Sequence, residues 1–416
     1  RVLVQTRTGV VPAVFGVRST HLWRRRPPQV QPTTTDDLWL DVGASSATEV
    51  AALGIRMLDP VMRELPAWSY GDPEDPYLAG PGASQRVGCA VLAAMSEAAP
   101  RTGENIYVIA TQSSYGDAGL VAAMRRLGPV DELLVLASQN GRESSAAAPI
   151  ATLSPSTVHA LAPVVSRVHA VAVRARFAGT LLESVRAGDA DLFASAMAAA
   201  ADIPASMLRT VVLPPPAVAP AASARHDAQS PVADLLAHLT DIYAVSGHEE
   251  LMRDAVLAAL PTWAREKATV DSAGSIVLEL GPEKDTNVVI AHMDEVGFEV
   301  ARIAHDGTVS LTNRGGFFPS LWEGQPALLH VGEPAGVTRV DDACPAATDG
   351  PLRGVFVPRD SATRKQPGPL TAWFGLDSAA LAARGVAAGS AVSGYKCATR
   401  LAGMRFTARS IDDRAG

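Results

Sequence analysis

Cysteine and aromatic residues are scarce in this chain of 416 residues. The three cysteines show no C-x-x-C spacing, so neither a disulfide framework nor a thiolate zinc site is indicated, and a reducing, cytoplasmic location is favoured. Aromatic residues make up 5% of the chain. No apolar run reaches the roughly 18 residues of a membrane span, so we expect no membrane partner.

Excess positive charge is also missing. The formal net charge is −7 and the pI is near 5.7, so no positive field is available to hold a phosphate backbone. We therefore expect no nucleic-acid partner. Hydrophobic content of 47% with 19% charged residues predicts a globular protein, and the length suggests two to four domains at roughly 150 residues each.

A proline- and alanine-rich stretch, 214–231, predicts a linker. Similar segments recur on its two sides in the same order, which predicts a duplication. The matched pairs are 9–15 with 350–356, 51–55 with 382–386, and 83–88 with 411–416. The first copy is expected to begin in the middle of a unit, and the second to stop before its unit ends.

Periodicity predicts an α/β core with an inserted module of short strands in each copy. In the first copy we predict helices over 88–98 and 118–127 and a strand over 105–111. In the second copy we predict helical spacing over 232–259, short strands at 269–271 and 275–280, a buried strand at 287–291, and a β-rich module from 297 to 402.

The domain boundaries follow from the repeat. They are predicted as 1–78 (β module of the first copy), 79–213 (back half of its α/β core), 214–231 (linker), 232–300 (front half of the second core), 301–404 (second β module) and 405–416 (return to the second core).

The apolar run at 287–291 ends in His292-Met293-Asp294. The carboxyl end of a buried strand is where open α/β sheets place their active sites. The imidazole of His292 can bind a metal there, and Asp294 could orient that ring. Taken alone, this pattern is weak evidence for a metal site.

Asp412 and Asp413 are adjacent carboxylates that precede a predicted helix. Capping of that helix would by itself account for both residues and is the favoured interpretation without further context. The functional alternative is that one carboxylate bridges two cations, which would then share a water to activate.

Four segments taken together resemble the glutamyl-aminopeptidase family of dinuclear metallopeptidases, which includes the tetrahedral and deblocking aminopeptidases. They are Val245-Ser246-Gly247-His248-Glu249, the stretch Ala-His-Met-Asp-Glu-Val-Gly-Phe from 291 to 298, the stretch from Asn313 to Gln325, and Ser-Ile-Asp-Asp-Arg-Ala-Gly from 410 to 416. The resemblance covers nearly the whole chain.

This resemblance implies a zinc-peptidase-like mixed sheet flanked by helices, with inserted small β-barrel-like modules. It implies that His292 and Asp412 are metal ligands, that Asp294 is the supporting catalytic aspartate, and that two divalent ions, zinc or cobalt, act on a peptide substrate. The family's Glu-Glu pair and its later aspartate and histidine ligands would fall after Gly416. The 416 residues alone are therefore expected to be inactive.

The first copy is expected to have lost this chemistry. By resemblance, Ser84-Gln85 replaces the aspartate pair and Ser113-Ser114 replaces the glutamate pair. The position of a ligand aspartate falls near Ala137 or Ser138, and Phe177 stands in place of a histidine. Serine and phenylalanine do not hold divalent cations, so we predict a non-catalytic domain.

Three alternatives remain open at this point. The protein could be a pseudo-peptidase scaffold or a two-metal deacylase. The two half-cores could also pair into one hybrid domain that places His292 near Ser84 and Ser113 and binds no metal tightly. Two β modules in one chain suggest self-association through these modules, including an internal pseudo-dimer, because the resembled family assembles through them.

Overall fold

The computed structural model describes residues 2–16, 35–64, 68–96, 98, 100–136, 153–208, 231–281, 287–316, 319–331, 350–359, 368–395, 398–403, 405–408 and 411. The strands are β1 Val2–Thr6, β2 Gly9–Gly16, β3 Trp39–Asp41, β4 Val61–Arg63, β5 Trp68–Tyr70, β6 Tyr77–Ala79, β7 Val130–Leu136, β8 Val165–Val171, β9 Ser184–Arg186, β10 Thr269–Val270, β11 Ile276–Val277, β12 Gly297–Ile303, β13 Val309–Arg314, β14 Pro326–Leu329, β15 Leu352–Phe356, β16 Thr371–Trp373, β17 Ala391–Gly394, β18 Thr399–Arg400 and β19 Phe406–Thr407. The helices are α1 Ala47–Ala52, α2 Ala83–Met95, α3 Ala118–Leu127, α4 Pro155–Leu161, α5 Ala187–Ala200, α6 Pro231–Asp241, α7 Glu250–Ala259, α8 Thr262–Arg265 and α9 Ser378–Ala383.

The second half of the chain contains a closed six-stranded barrel in the order β12-β13-β16-β15-β14-β17. Large apolar side chains fill it, and those of Phe298, Phe356 and Phe374 have no solvent exposure. Trp322 packs edge-on against the ring of Phe298, with the centroids 5.2 Å apart. The predicted β-barrel-like module is therefore confirmed for the second half, and its first strand begins at Gly297.

The first half contains a smaller sheet of the same design. Its order is β3-β2-β1-β4, which matches the order β16-β15-β14-β17 within the barrel. A short helix follows the third strand in both places, α1 after β3 and α9 after β16. Ser46 caps α1 and Asp377 caps α9, each by accepting a hydrogen bond from a backbone N–H three residues further on.

The α/β part of the first half is built on the parallel pair β7–β8, in which Val130 lies opposite Val165. Leu120, Met124 and Leu161 from α3 and α4 pack together with Val165. The predicted helix 118–127 is confirmed at both ends as α3. The helix predicted over 88–98 is α2, which begins five residues earlier, at Ala83, and ends at Met95.

Two strand predictions are wrong. Residues 105–111 and 287–291 form no strand. The apolar side chains of 287–291 are exposed, 97% for Val289 and 82% for Ile290, and in 105–111 Ile109 is 62% exposed while Tyr107 and Val108 are half-buried. A strand of a parallel sheet is held by its neighbours on both sides. No strand in the described part of the chain pairs with either segment, so the wider zinc-peptidase-like sheet is not formed by the described residues.

The start of the second half folds as three helices, α6, α7 and the short α8, followed by a hairpin. The helical spacing predicted over 232–259 is divided between α6 and α7, with a turn between them. The two short strands predicted after it are confirmed as the antiparallel pair β10–β11. The carboxylate of Asp271 holds their turn by accepting from the backbone N–H groups of Ala273 at 2.9 Å and Ser275 at 2.8 Å. Among the helices described, none has the length and apolarity required to cross a bilayer.

Candidate metal centre

His292 and Asp294 lie just before β12 and contact each other. Nδ1 of His292 is 2.9 Å from Oδ1 of Asp294, and the two side chains are 51% and 36% exposed. A carboxylate that accepts from Nδ1–H fixes both the tautomer and the plane of an imidazole, and it leaves Nε2 as the atom for a metal. The geometry expected of Asp294 as the partner of the His292 ring is thus observed, although its catalytic role stays a prediction.

Glu295 anchors this segment to the loop before α7. Its backbone N–H donates to the carbonyl of Ala244 at 2.7 Å, and its carbonyl accepts from Ser246 N–H at 3.1 Å. Its carboxylate also accepts from Ala244 N–H at 3.1 Å, and the side chain is buried. The loop that carries the Val245-Ser246-Gly247 motif is therefore fixed directly beside the His292 segment. The sequence analysis did not single out Glu295, since nothing in the pattern shows that it faces inward.

A second charged cluster lies on the first two strands of the barrel, β12 and β13. Glu299 on β12 accepts from the guanidinium of Arg314 and lies 2.9 Å from Nε2 of His248. Burial by itself would raise the pKa of the Glu299 carboxyl, but the hydrogen bonds from Arg314 and His248 outweigh it and hold the pKa below its ordinary value. His248 of the Val-Ser-Gly-His-Glu segment thus pairs with a carboxylate of the barrel.

We expect Arg314→Gln to remove the part of the folding stability that depends on the ionised carboxylate of Glu299. A carboxyl with a depressed pKa in the folded state stabilises the fold above its unfolded pKa of about 4.3, and this contribution disappears as the pH falls through the lower folded pKa. The urea midpoint of the variant should therefore lie below that of the wild type at about pH 6, and the two should converge near pH 3. Arg302→Gln removes the same charge from an exposed position of β12 and serves as the control. A gap for Arg314→Gln that does not change with pH would contradict this prediction.

The other predicted ligand, Asp412, lies outside the described residues, as does Asp413. Within the described ranges, no group of three or more histidine, cysteine, aspartate or glutamate side chains is close enough to hold a metal ion. The described part therefore presents one oriented imidazole with its supporting carboxylate. This donor chemistry fits one ligand position of a zinc or cobalt site, and it does not complete such a site.

In the first half, Ser84 stands where the aspartate pair was expected to be replaced, and it is buried at the start of α2. Its hydroxyl and its backbone N–H donate to Oε1 of Glu183 at 2.5 and 2.8 Å. Oε2 of the same carboxylate accepts from Gly179 N–H at 3.0 Å. Glu183 is 4% exposed. The sequence analysis did not identify it, because it lies 99 positions from Ser84.

The remaining positions of the first half are spread over different surroundings. Ser113 begins an exposed turn. Phe177 has a φ of +53° and its ring lies 6.1 Å from that of Trp373 in the barrel. Residues 137–138 lie outside the described ranges. The side chains of serine, alanine and phenylalanine at these positions are not metal donors of the expected type. The erasure of an ancestral site stays a prediction.

Comparison with known proteins places the chain in a family. The family model described as M42 glutamyl aminopeptidase matches residues 1–136 and 274–416. FrvX of Escherichia coli (strain K12) is 37% identical over 97 residues, which are 23% of this chain and 26% of that protein. The glutamyl aminopeptidase of Lactococcus lactis subsp. cremoris (strain MG1363) is 32% identical over 119 residues, which are 28% of this chain and 32% of that protein. The chain thus spans about a quarter to a third of the length of these curated relatives.

Among solved structures, an aminopeptidase of the archaeon Desulfurococcus kamchatkensis is 24% identical, with 44% of this chain and 49% of that chain covered at a TM-score of 0.36. An endoglucanase of Thermotoga maritima is 28% identical, with 44% and 50% covered at a TM-score of 0.33. TM-scores of this size say nothing about activity. Since the family model matches more than half of the residues, the chain belongs to the M42 glutamyl aminopeptidase family.

Proposed function

We propose that the protein is a metal-dependent hydrolase of the aminopeptidase type that removes N-terminal residues from peptides. The observation that carries the proposal is the hydrogen bond between His292 Nδ1 and Asp294, in a segment tied to the Val-Ser-Gly loop, within a chain of this family. The name of the relative from Lactococcus lactis, glutamyl aminopeptidase, also supports the proposal.

In this proposal His292, through Nε2, and Asp412 would be among the residues that hold two divalent ions. Zinc and cobalt suit imidazole and carboxylate donors. When bound, the ions supply an activated water and polarise the peptide carbonyl. Asp294 keeps the proton on Nδ1 of His292, so that the lone pair of Nε2 is available to a metal. Glu295 and its contacts with Ala244 and Ser246 keep this segment at a constant position.

The proposed domain plan keeps two copies: a β module (1–78) with a degenerate core (79–213), a linker (214–231), and a second core front (232–300) with its β module (301–404) and its return (405–416). The first copy is proposed to be non-catalytic, since Ser84 and Phe177 occupy positions where the family chemistry needs metal donors. A cytoplasmic location agrees with the low cysteine content.

The proposal is tested with an aminoacyl p-nitroanilide and with its N-acetylated form as two substrates for the full-length protein. We expect release of p-nitroaniline from the free amine only, loss of activity with a chelator, and recovery with zinc or cobalt, because the metal would activate the attacking water.

The same assay separates the two alternatives. Removal of the acetyl group from the N-acetylated substrate would indicate the two-metal deacylase. Inactivity on both substrates at saturating zinc and cobalt would rule out the aminopeptidase and leave the scaffold.

A further inference from the structure

The two β modules share their strand register as well as their strand order. In the first module Val2 on β1 lies opposite Ala13 on β2, and in the second Ala327 on β14 lies opposite Gly354 on β15. In the next pair of strands Val14 lies opposite Asp41 and Val355 lies opposite Trp373, so the residue two positions after β3 corresponds to the residue two positions after β16. These equivalent residues are Gly43 and Gly375.

A short antiparallel hairpin follows each module: β5–β6 (68–79) after the first and β18–β19 (399–407) after the second. We call them the return hairpins. Gly71 lies in the turn of the first return hairpin and Gly403 in the turn of the second, and both have positive φ, +95° and +63°. Positive φ favours glycine and brings the backbone close to its neighbour.

Each return hairpin lies against the module of the other half. A Cβ on Gly43 would meet the Ala402 carbonyl oxygen at 2.0 Å, and a Cβ on Gly375 would meet Cα of Gly71 at 2.7 Å. The backbone N–H of Ala402 also donates to the carbonyl of Val42 at 3.0 Å. The contact is reciprocal, because the same pair of surfaces meets twice with the halves exchanged. Reciprocal contact of this kind defines a two-fold, isologous interface.

The two contacts pair equivalent parts of the two halves but differ in chemistry. Trp68 of the first return hairpin is 2% exposed, donates from Nε1 to the Gly354 carbonyl at 3.2 Å, and packs 4.9 Å from the Tyr395 ring. The second return hairpin instead reaches the first module through a charged group: Arg405 lies 3.2 Å from Ser45 Oγ, at an exposed site.

Further aromatic contacts strengthen the side that involves the barrel. The guanidinium of Arg176 lies over the ring of Trp373, 3.7 Å from its centroid, and the Tyr77 ring packs edge-on against the same tryptophan at 4.9 Å. The hydrogen bond from Thr308 N–H, together with the positive charge of Arg176, holds the pKa of Asp306 below its ordinary value. The first return hairpin therefore meets the barrel through aromatic rings, and Arg176 of the same half adds a cation–π contact beside them.

We infer that the first half is a built-in partner of the second: the two β modules form a closed two-fold interface within one chain, and this face is not offered to a second chain. The partner that the surface fits is the other half of the same polypeptide. This inference goes beyond the hydrolase activity and holds whether or not that activity is found.

The test compares Gly43→Ala and Gly375→Ala with Gly385→Ala as a matched control. Gly385 has a φ of +80°, close to the +82° of Gly43 and the +74° of Gly375, but an added Cβ there meets nothing within 4 Å. The control thus carries the backbone strain without the interface clash. Thermal unfolding and light-scattering mass are measured on the 416-residue chain.

We expect both interface variants to lower Tm by roughly 5 °C or more beyond the control, while the mass of the particle stays that of the wild type. A particle mass halved by either variant would show that the interface joins two chains and would overturn the inference. Unfolding midpoints equal to that of Gly385→Ala would overturn it as well.

Discussion

His292→Ala is expected to abolish tight zinc binding by the full-length protein and, with it, the metal-dependent release of N-terminal residues. Alanine removes the imidazole that Asp294 orients through its contact with Nδ1. Loss of a residue that hydrogen-bonds to a metal ligand typically lowers metal affinity or activity by about 10–100-fold. Loss of the ligand itself should have a larger effect. Zinc affinity by competition with a chelating dye and the initial hydrolysis rate are the two measurements.

Asp294 provides the graded comparison. Asp294→Asn keeps an oxygen that can accept from Nδ1–H but removes the charge, so a smaller loss is expected than for Asp294→Ala, for which we expect about 10–100-fold in zinc affinity. His305→Ala, at an exposed turn of the barrel, is the control and should match the wild type. If His292→Ala retained the zinc affinity and the rate of His305→Ala, the assignment of the metal ligand would be wrong.

The parts of this structure that the sequence predicts correctly are those set by local rules. The helix α3 is predicted at both ends because its apolar spacing is regular, Arg125 and Arg126 occupy its last turn, and Gly128 follows it. His292 and Asp294 are two residues apart, so their contact needs only an extended backbone. The equivalence of the two β modules is visible because their strands, caps and turn glycines occur in the same order.

Contacts that join distant parts of the chain are what the sequence does not reveal. The apolar run at 287–291 has the pattern of a buried strand, but burial depends on neighbouring strands, and the pattern does not say whether they are present. Val289 is 97% exposed for that reason. The return hairpins show the same limit, because Trp68 finds its acceptor, Gly354, 286 positions away.

Glu183 is the residue whose replacement should disturb the first half most. Its carboxylate is 4% exposed and accepts three hydrogen bonds, from the hydroxyl and N–H of Ser84 and from Gly179 N–H. Glu183→Ala leaves three donors without this acceptor, and buried donors that lose a charged partner cost about 1–3 kcal/mol each before the structure relaxes. We expect a loss of about 3 kcal/mol in the free energy of unfolding, measured by urea denaturation.

Two variants decide whether that loss comes from the carboxylate. Glu183→Gln keeps one oxygen acceptor but turns an amide N–H₂ towards a former donor, so its loss should lie between zero and that of Glu183→Ala. Glu132→Ala removes a half-exposed carboxylate that pairs with Arg167, and it should leave the unfolding midpoint nearly unchanged. Equal losses of stability for Glu183→Ala and Glu132→Ala would contradict the assignment of this stabilisation to the Glu183 carboxylate. A large loss only at Glu183 would mean that the start of α2, where Ser84 is predicted to replace an aspartate of a metal site, is held in this half by an internal carboxylate.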